Sequence, residues 1–216
     1  MIIDCISDLH GHYPKLDGGD LLIVAGDLTA RDTYEEYCKF YDWLDHQNYK
    51  KKLFICGNHD NYIQKEDNEY LLDLMKSGYE RFVYLCDSGT EFEGLKIWGS
   101  PWTKTFPGMN PKCKAFTVDT EEELKEKFEL IPDDIDILIT HSPPFGVLDS
   151  NINAKYCGST YLFGALKYKF RPKLHVFGHI HECYGQKEYF TGCISVNASY
   201  VNEQYQPVNK PVRVIL

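Results

Sequence analysis

LHVFGHIHE, residues 174–182, is a short apolar run closed by a glycine and then by two histidines one residue apart. Leu174 to Phe177 has the length of a buried strand, not of a buried helix. His179 and His181 then stand where a strand gives way to a loop. The stretch by itself fits either a core strand that happens to end in imidazoles or half of a metal site. The rest of the chain decides between them.

Working outward, the same punctuation recurs. Ile2 to Ser7 reads as a first strand and is followed by Asp8 and His10 (SDLH). Asp20 to Ala25 reads as a second, followed by Asp27. Lys52 to Cys56 is a third, followed by Asn58, His59 and Asp60. Ile135 to Thr140 is another buried strand, followed by His141. In open α/β sheets, sites gather outside the carboxyl ends of strands. Five strands ending in groups that bind metals or move protons are improbable by chance.

Between these strands lie helical patterns. Thr33 and Glu36 have capping-box spacing, and Tyr37, Phe40, Tyr41 and Leu44 share the face that follows. Thr120 and Glu123 repeat that spacing at the start of a helix to Leu130, with Pro132 just beyond. Asn68 to Lys76 and Tyr161 to Phe170 also read as helices. From Arg81 to Ser100 the pattern changes to short strands joined by Gly-containing turns (RFVYL, TEFEG, LKIWGS), which predicts hairpins and a mixed sheet. Pro101 to Pro111 reads as a loop. Cys193 to Val196 and Val212 to Ile215 are late strands. The alternation predicts an α/β layered fold, and no linker divides it, so residues 1–216 read as a single domain.

The formal net charge of −9 argues against an extended nucleic acid or an anionic membrane as partner. It is compatible with a small phosphate-bearing substrate, because bound cations would invert the local field. No apolar run has the length of a membrane span. The N-terminus has no basic n-region and carries Asp4 and Asp8, so it reads as a strand and not as a signal peptide. Eight cysteines are scattered without a CxxC pair, which predicts reduced thiols in a cytoplasmic protein. For the same reason Asn197-Ala198-Ser199 carries no weight as a glycosylation sequon. Oligomeric state is left open.

Imidazole and carboxylate without thiolate suit manganese, iron, zinc or cobalt. Asp8, Asp27, His10, His141, His179, His181 and Asn58 are too many donors for one tetrahedral ion and suit two divalent metal ions sharing a carboxylate. Two-metal sites hold their ions roughly 3.5–4 Å apart and serve in-line phosphoryl displacement, with a hydroxide between the ions as nucleophile.

The ordered series Asp8-x-His10, Gly26-Asp27, Gly57-Asn58-His59-Asp60, His141 and Gly178-His179-x-His181 resembles the signature of calcineurin-like metallophosphoesterases over nearly the whole chain. The resemblance implies a four-layer α/β/β/α sandwich with two mixed β-sheets. It implies that Asp8, His10 and His181 bind one metal, that Asn58, His141 and His179 bind the other, and that Asp27 bridges them. His59 would face the substrate and protonate the leaving oxygen, and Asp60 would orient His59 through its other ring nitrogen. The stretches at 95–103, 135–149, 171–185 and 196–199 are similar to the metallophosphoesterase-domain-containing branch. That branch implies a phosphodiesterase acting on a small phosphodiester such as a cyclic nucleotide, with manganese the first choice of metal. A phosphomonoesterase and a non-catalytic metal-binding scaffold are the alternatives. GDLTARD at 26–32 lacks the Gly-Asp-x-x-Asp-Arg-Gly stretch of protein Ser/Thr phosphatases. Of the remaining residues, His12, Trp102 and Phe106 are candidates to line the substrate. His46 reads as a helix-end residue and His175 as core.

Overall fold

The computed structural model describes residues 1–65, 82–188 and 192–216. Its strands form two large sheets. The first contains β1 (Ile2–Ile6), β2 (Gly19–Ala25), β3 (Tyr49–Ile55) and β4 (Phe82–Tyr84) in parallel, with β13 (Val212–Ile215) antiparallel outside β1. The second has β6 (Leu95–Ser100), β9 (Ile137–Thr140), β10 (Leu174–Phe177) and β12 (Ile194–Asn197) in parallel. Its edges are the antiparallel β5 (Ser88–Phe92) beside β6 and β11 (Gly185–Glu188) beside β12. A further small pair joins β7 (Thr103–Lys104) to β8 (Thr117–Val118).

The central strands read as unbroken apolar runs because both of their faces are covered. Leu21, Ile23 and Ala25 of β2 point into a core shared with Ile137, Ile139, Leu174, Val176 and Val196 of the second sheet. Leu22 and Val24 point the other way, against Tyr37, Phe40, Tyr41 and Leu44 of helix α1 (Tyr34–Asp45). The one-turn helix α2 (Asn61–Gln64) adds Ile63 to the same cluster. Leu138 of β9 turns outward against Leu124 and Phe128 of α3 (Glu121–Phe128) and Leu162 of α4 (Thr160–Tyr168). Helix, sheet, sheet and helices thus form four layers. Each large apolar side chain fully buried in these cores contributes roughly 1.5–3 kcal/mol. Among the described residues no helix is long and apolar enough to cross a membrane. All eight cysteines are free.

Three local expectations change. The spacing Thr33-x-x-Glu36 forms no capping box: the Thr33 side chain makes no cap bond, and Glu36 instead accepts from Ala30 and Arg31 N–H at 3.0 and 2.6 Å. Glu36 thereby ties down the loop after β2. The same spacing at Thr120 does form the box. The stretch from Arg81 to Ser100 is not one run of hairpins. Only β5 and β6 pair, across a turn at Glu93 and Gly94 with φ of 48° and 80°. Instead β4 joins the first sheet, where Phe82 packs in the cluster of Tyr41 and Phe54. Thirdly, the loop after Ser100 contains the two-residue strand β7. The expected helix at Asn68–Lys76 lies outside the described residues.

Parallel register puts the carboxyl ends of β1, β2 and β3 on one edge of their sheet and those of β9 and β10 on the matching edge of the other. β2 lies over β9 and β10 across the interface. A bridge between Ser7 and Ser199 fastens the sheets at that edge, with Ser7 N–H donating to Ala198 O and Tyr200 N–H to Ser7 O, both at 2.8 Å.

Candidate metal centre

The ends of β1, β2 and β10 release their polar residues through left-handed turns. Asp8, His10, Asp27 and His179 have φ of 52°, 42°, 53° and 70°. Such conformations are uncommon in non-glycine residues and gather at functional sites. They are held by the chain itself: Asp8 N–H donates to Gly26 O at 2.9 Å and His10 N–H to Asp27 O at 3.0 Å.

Among the described residues three donor sets result: Asp8, His10 and His181; His10, Asp27 and His59; and Asp8, Asp27 and His141. Asp27 stands between them. Its Oδ2 lies 3.7 Å from His10 Nε2 and 3.9 Å from His59 Nε2, and its Oδ1 lies 3.5 Å from His141 Nε2. His141 Nε2 is also 3.1 Å from Asn58 Oδ1. His181 Nε2 lies 3.4 Å from Asp8 Oδ1. His179 is linked through its backbone, whose N–H donates to both Asp8 oxygens at 3.1 and 3.2 Å, while its ring meets that of His141 edge-on at 5.0 Å between centroids.

These residues fit a cation site on three counts. His141 Nδ1 lies 2.9 Å from Ala25 O, and His181 Nδ1 lies 3.1 Å from Asn202 O. A carbonyl only accepts, so each Nδ1 carries a proton; each Nε2 faces carboxylate or amide oxygens and can offer a lone pair to a cation once it gives up its own proton. The His10 Nε2 atom is buried with no hydrogen-bond partner among the described residues, although it faces Asp27. Buried polar atoms are rarely left so. Backbone also crowds the cage: a Cβ at Gly178 would overlap Asp8 and Ser7, and one at Gly57 would overlap Asp27 and His141.

The buried carboxylates and imidazoles set one another's charge. Burial works against ionising Asp8, yet the hydrogen bond and charge of His181 and the charge of His141 outweigh it and hold this carboxyl well below the usual range. Asp27 is likewise buried and likewise held low by His141, His59 and His10. Burial opposes charge on His141, but Asp27 and Asp8 prevail and push its pKa up to about 9. Burial pulls His10 down to about 4 against the same carboxylates. Ser199 Oγ donates to Asp8 Oδ2 at 2.8 Å and so aims that carboxylate.

Asp60 does not orient His59. It is fully buried, and its oxygens accept from Gly57, Asp27 and Leu28 N–H at 2.7, 3.1 and 3.1 Å and from Tyr37 OH at 3.0 Å. Those bonds turn it beneath the metal-site loops, away from the histidine. The ring partner of His59 is Cys113, with Sγ 3.6 Å from Nδ1.

Beside the cluster opens a cavity of about 900 Å³, lined by Asp27, Asn58, His59, His179 and His181 together with two loops, at 104–113 and 145–160. Phe106, Met109 and Cys113 come from one loop, and Phe145 and Tyr156 from the other. Phe106 is thus a lining residue, 53% exposed. Trp102 is not: its Nε1 donates to Asp87 at 2.6 Å and its ring packs on Phe116 beneath Lys127. His12 is also absent from the lining and lies 3.3 Å through Nε2 from Tyr205 O.

Sequence reasoning missed Ser199, Asn202, Cys113 and Tyr205. Ser199 stands inside a sequon, a pattern that hid its bond to Asp8. Cys113 and Tyr205 carry no local signal. His46 and His175 are as expected, the first 2.7 Å through Nδ1 from Asp42 O at the end of α1 and the second fully buried with Nε2 2.8 Å from Thr140 Oγ1.

Comparison with known proteins adds an independent line. A family model described as calcineurin-like phosphoesterase matches residues 1–183. The chain is 36% identical to metallophosphoesterase domain-containing protein 1 of Homo sapiens, across 98% of this chain and 70% of that protein, and to the Mus musculus protein of that name to the same degree. Among solved structures, TT1561 of Thermus thermophilus superposes with a TM-score of 0.60 at 16% identity, covering 91% of this chain and 88% of that one. At that identity the likeness speaks for the fold alone.

Proposed function

Because the chain belongs to the calcineurin-like phosphoesterase family, whose members are metal-dependent phosphoric ester hydrolases, we propose that it hydrolyses a small phosphodiester at a site holding two divalent metal ions. One observation carries the two-ion reading: the two oxygens of Asp27 face different donors, His10 on one side and His141 with Asn58 on the other. A carboxylate so flanked suits a bridge. Asp8, His10 and His181 would complete one position, and Asn58, His141 and His179 the other. When bound, the cations supply neutralisation of phosphoryl charge and acidify the attacking water.

The protein's own groups do the rest. The buried carboxylates and carbonyl-fixed imidazoles set the ligand geometry before substrate arrives. His59, 20% exposed at the cavity wall, would protonate the leaving oxygen of a phosphoester held in the cavity. Two features favour a diester. A diester carries one negative charge where a monoester carries two, and the cavity's cationic side chains besides histidine are Lys104 and Lys155, the former 3.2 Å from Glu121. A diester also has two organic arms, and the cavity has apolar walls on both loops. Manganese is the first choice among N- and O-liganded metals, with iron, zinc and cobalt as alternatives. The test is hydrolysis of bis-p-nitrophenyl phosphate against p-nitrophenyl phosphate, with and without added manganese. Faster turnover of the diester is expected. Preference for the monoester would overturn the diester reading, and no turnover with metal bound would favour a scaffold.

A further inference from the structure

The side chain of Tyr205 has no part in the proposed hydrolysis, yet its loop is fastened to the site at two points. Asn202 O holds His181 Nδ1 at 3.1 Å, and Tyr205 O lies 3.3 Å from His12 Nε2. Between them the Asn202 side chain accepts from Gln204 and Gln206 N–H at 3.0 and 2.9 Å, and Tyr205 N–H donates to Asn202 O at 2.8 Å. Tyr205 itself has φ of 60°. This clamp lays the ring edge-on against His10 and His181, at 4.7 and 5.4 Å between centroids, and 6.2 Å from His59. The side chain lines the cavity, and its hydroxyl has no hydrogen-bond partner among the described residues.

A rigidly held aromatic ring over the mouth of a metal cage, with a free donor at its tip, has a use only when something occupies the mouth. We infer that Tyr205 is a catalytic residue whose hydroxyl donates a hydrogen bond to a non-bridging oxygen of the phosphoryl group, and that His12 serves this reaction indirectly by pinning the Tyr205 carbonyl. The inference rests on the phosphoester-hydrolase reading of the same site. A donor already in place needs no reorganisation as charge gathers on that oxygen, so its benefit appears in turnover as well as in binding.

The test uses the manganese-loaded protein and two readouts: calorimetric affinity for inorganic phosphate, and kcat on bis-p-nitrophenyl phosphate. Tyr205→Phe keeps the ring and removes the donor. It should bind phosphate roughly tenfold more weakly and turn over roughly ten- to a hundredfold more slowly, with metal content and melting temperature unchanged. Equal phosphate affinity and equal kcat in Tyr205→Phe would overturn the inference. Loss of manganese from that variant would overturn it too, by showing that the hydroxyl serves the cage and not the substrate. Weaker phosphate binding in the variant, together with a wild type inactive on the diester, would support the Tyr205 role while refuting the diester reading.

Discussion

Gly57→Ala is the sharpest test of the cage. Gly57 follows β3 and passes so close to the ligands that an added Cβ would overlap Asp27 Oδ1 and stand 2.7 Å from both Nε2 and Cε1 of His141. Ordinary contact begins at 3.4 Å, so the ring must retreat by 3.4 − 2.7 = 0.7 Å. It has little room to do so: His141 is fully buried, and its Nδ1 is tied to Ala25 O at 2.9 Å. Asp27 is constrained in the same way by His59 N–H at 2.9 Å. Overpacking of this kind costs roughly 1–3 kcal/mol, and a chain of this length loses about 2–4 °C of melting temperature per kcal/mol. A displacement approaching 1 Å in catalytic geometry costs about a hundredfold in rate. Gly57→Ala should therefore stay folded, melt roughly 2–12 °C lower, bind manganese below two ions per chain, and lose one to two orders of magnitude in kcat. The assays are circular dichroism on heating, elemental analysis after desalting, and diester hydrolysis. A variant with full metal content and full turnover would refute the reasoning, because Asp27 and His141 could not then converge beside Gly57.

Other perturbations separate the roles of neighbouring residues. His59→Ala should cut turnover by roughly 10²–10⁴-fold while metal content stays near two per chain; joint loss of both would make His59 a ligand. Asp60→Asn should leave the His59 contribution intact but destabilise the fold by roughly 2–4 kcal/mol in urea unfolding, because an amide NH₂ would face N–H donors that Asp60 now satisfies; unchanged stability would contradict the buried network described. His175 sets a pH dependence: burial pulls its pKa from 6.5 down to about 3, so unfolding takes up a proton anywhere between those values. Stability therefore falls as pH drops below 6.5, by about 2 kcal/mol near pH 5 from this group, and His175→Leu should flatten that slope. An unaltered slope in the variant would count against the buried neutral imidazole.

The parts legible in the sequence are those in which one residue type serves one need. Strands buried on both faces must be apolar throughout, so β1, β2, β3, β9 and β10 stood out, and the polar residue after each had to lie at a sheet edge. Partner choice was harder to see. RFVYL is as apolar as a hairpin strand, and only its parallel pairing with β3, which sets Phe82 against Tyr41 and Phe54, assigns it to the first sheet. Spacing alone cannot distinguish a capping box from Glu36 reaching back to Ala30 and Arg31. The resemblance implied that Asp60 orients His59, but adjacent side chains leave a turn in different directions, and this one turned toward buried N–H groups. Tyr205 was invisible because its nearness to His10 depends on a loop at the opposite end of the chain. Trp102 was misread as a lining candidate, since an aromatic near a loop looks the same whether it faces the cavity or Asp87.

Anomalous diffraction from crystals of the manganese-loaded protein bears most directly on whether these strand ends form one cage. Two peaks about 3.5–4 Å apart are expected, one beside Asp8, His10 and His181, the other beside Asn58, His141 and His179, with Asp27 between them. A lone peak, or two peaks not joined by Asp27, would contradict the account.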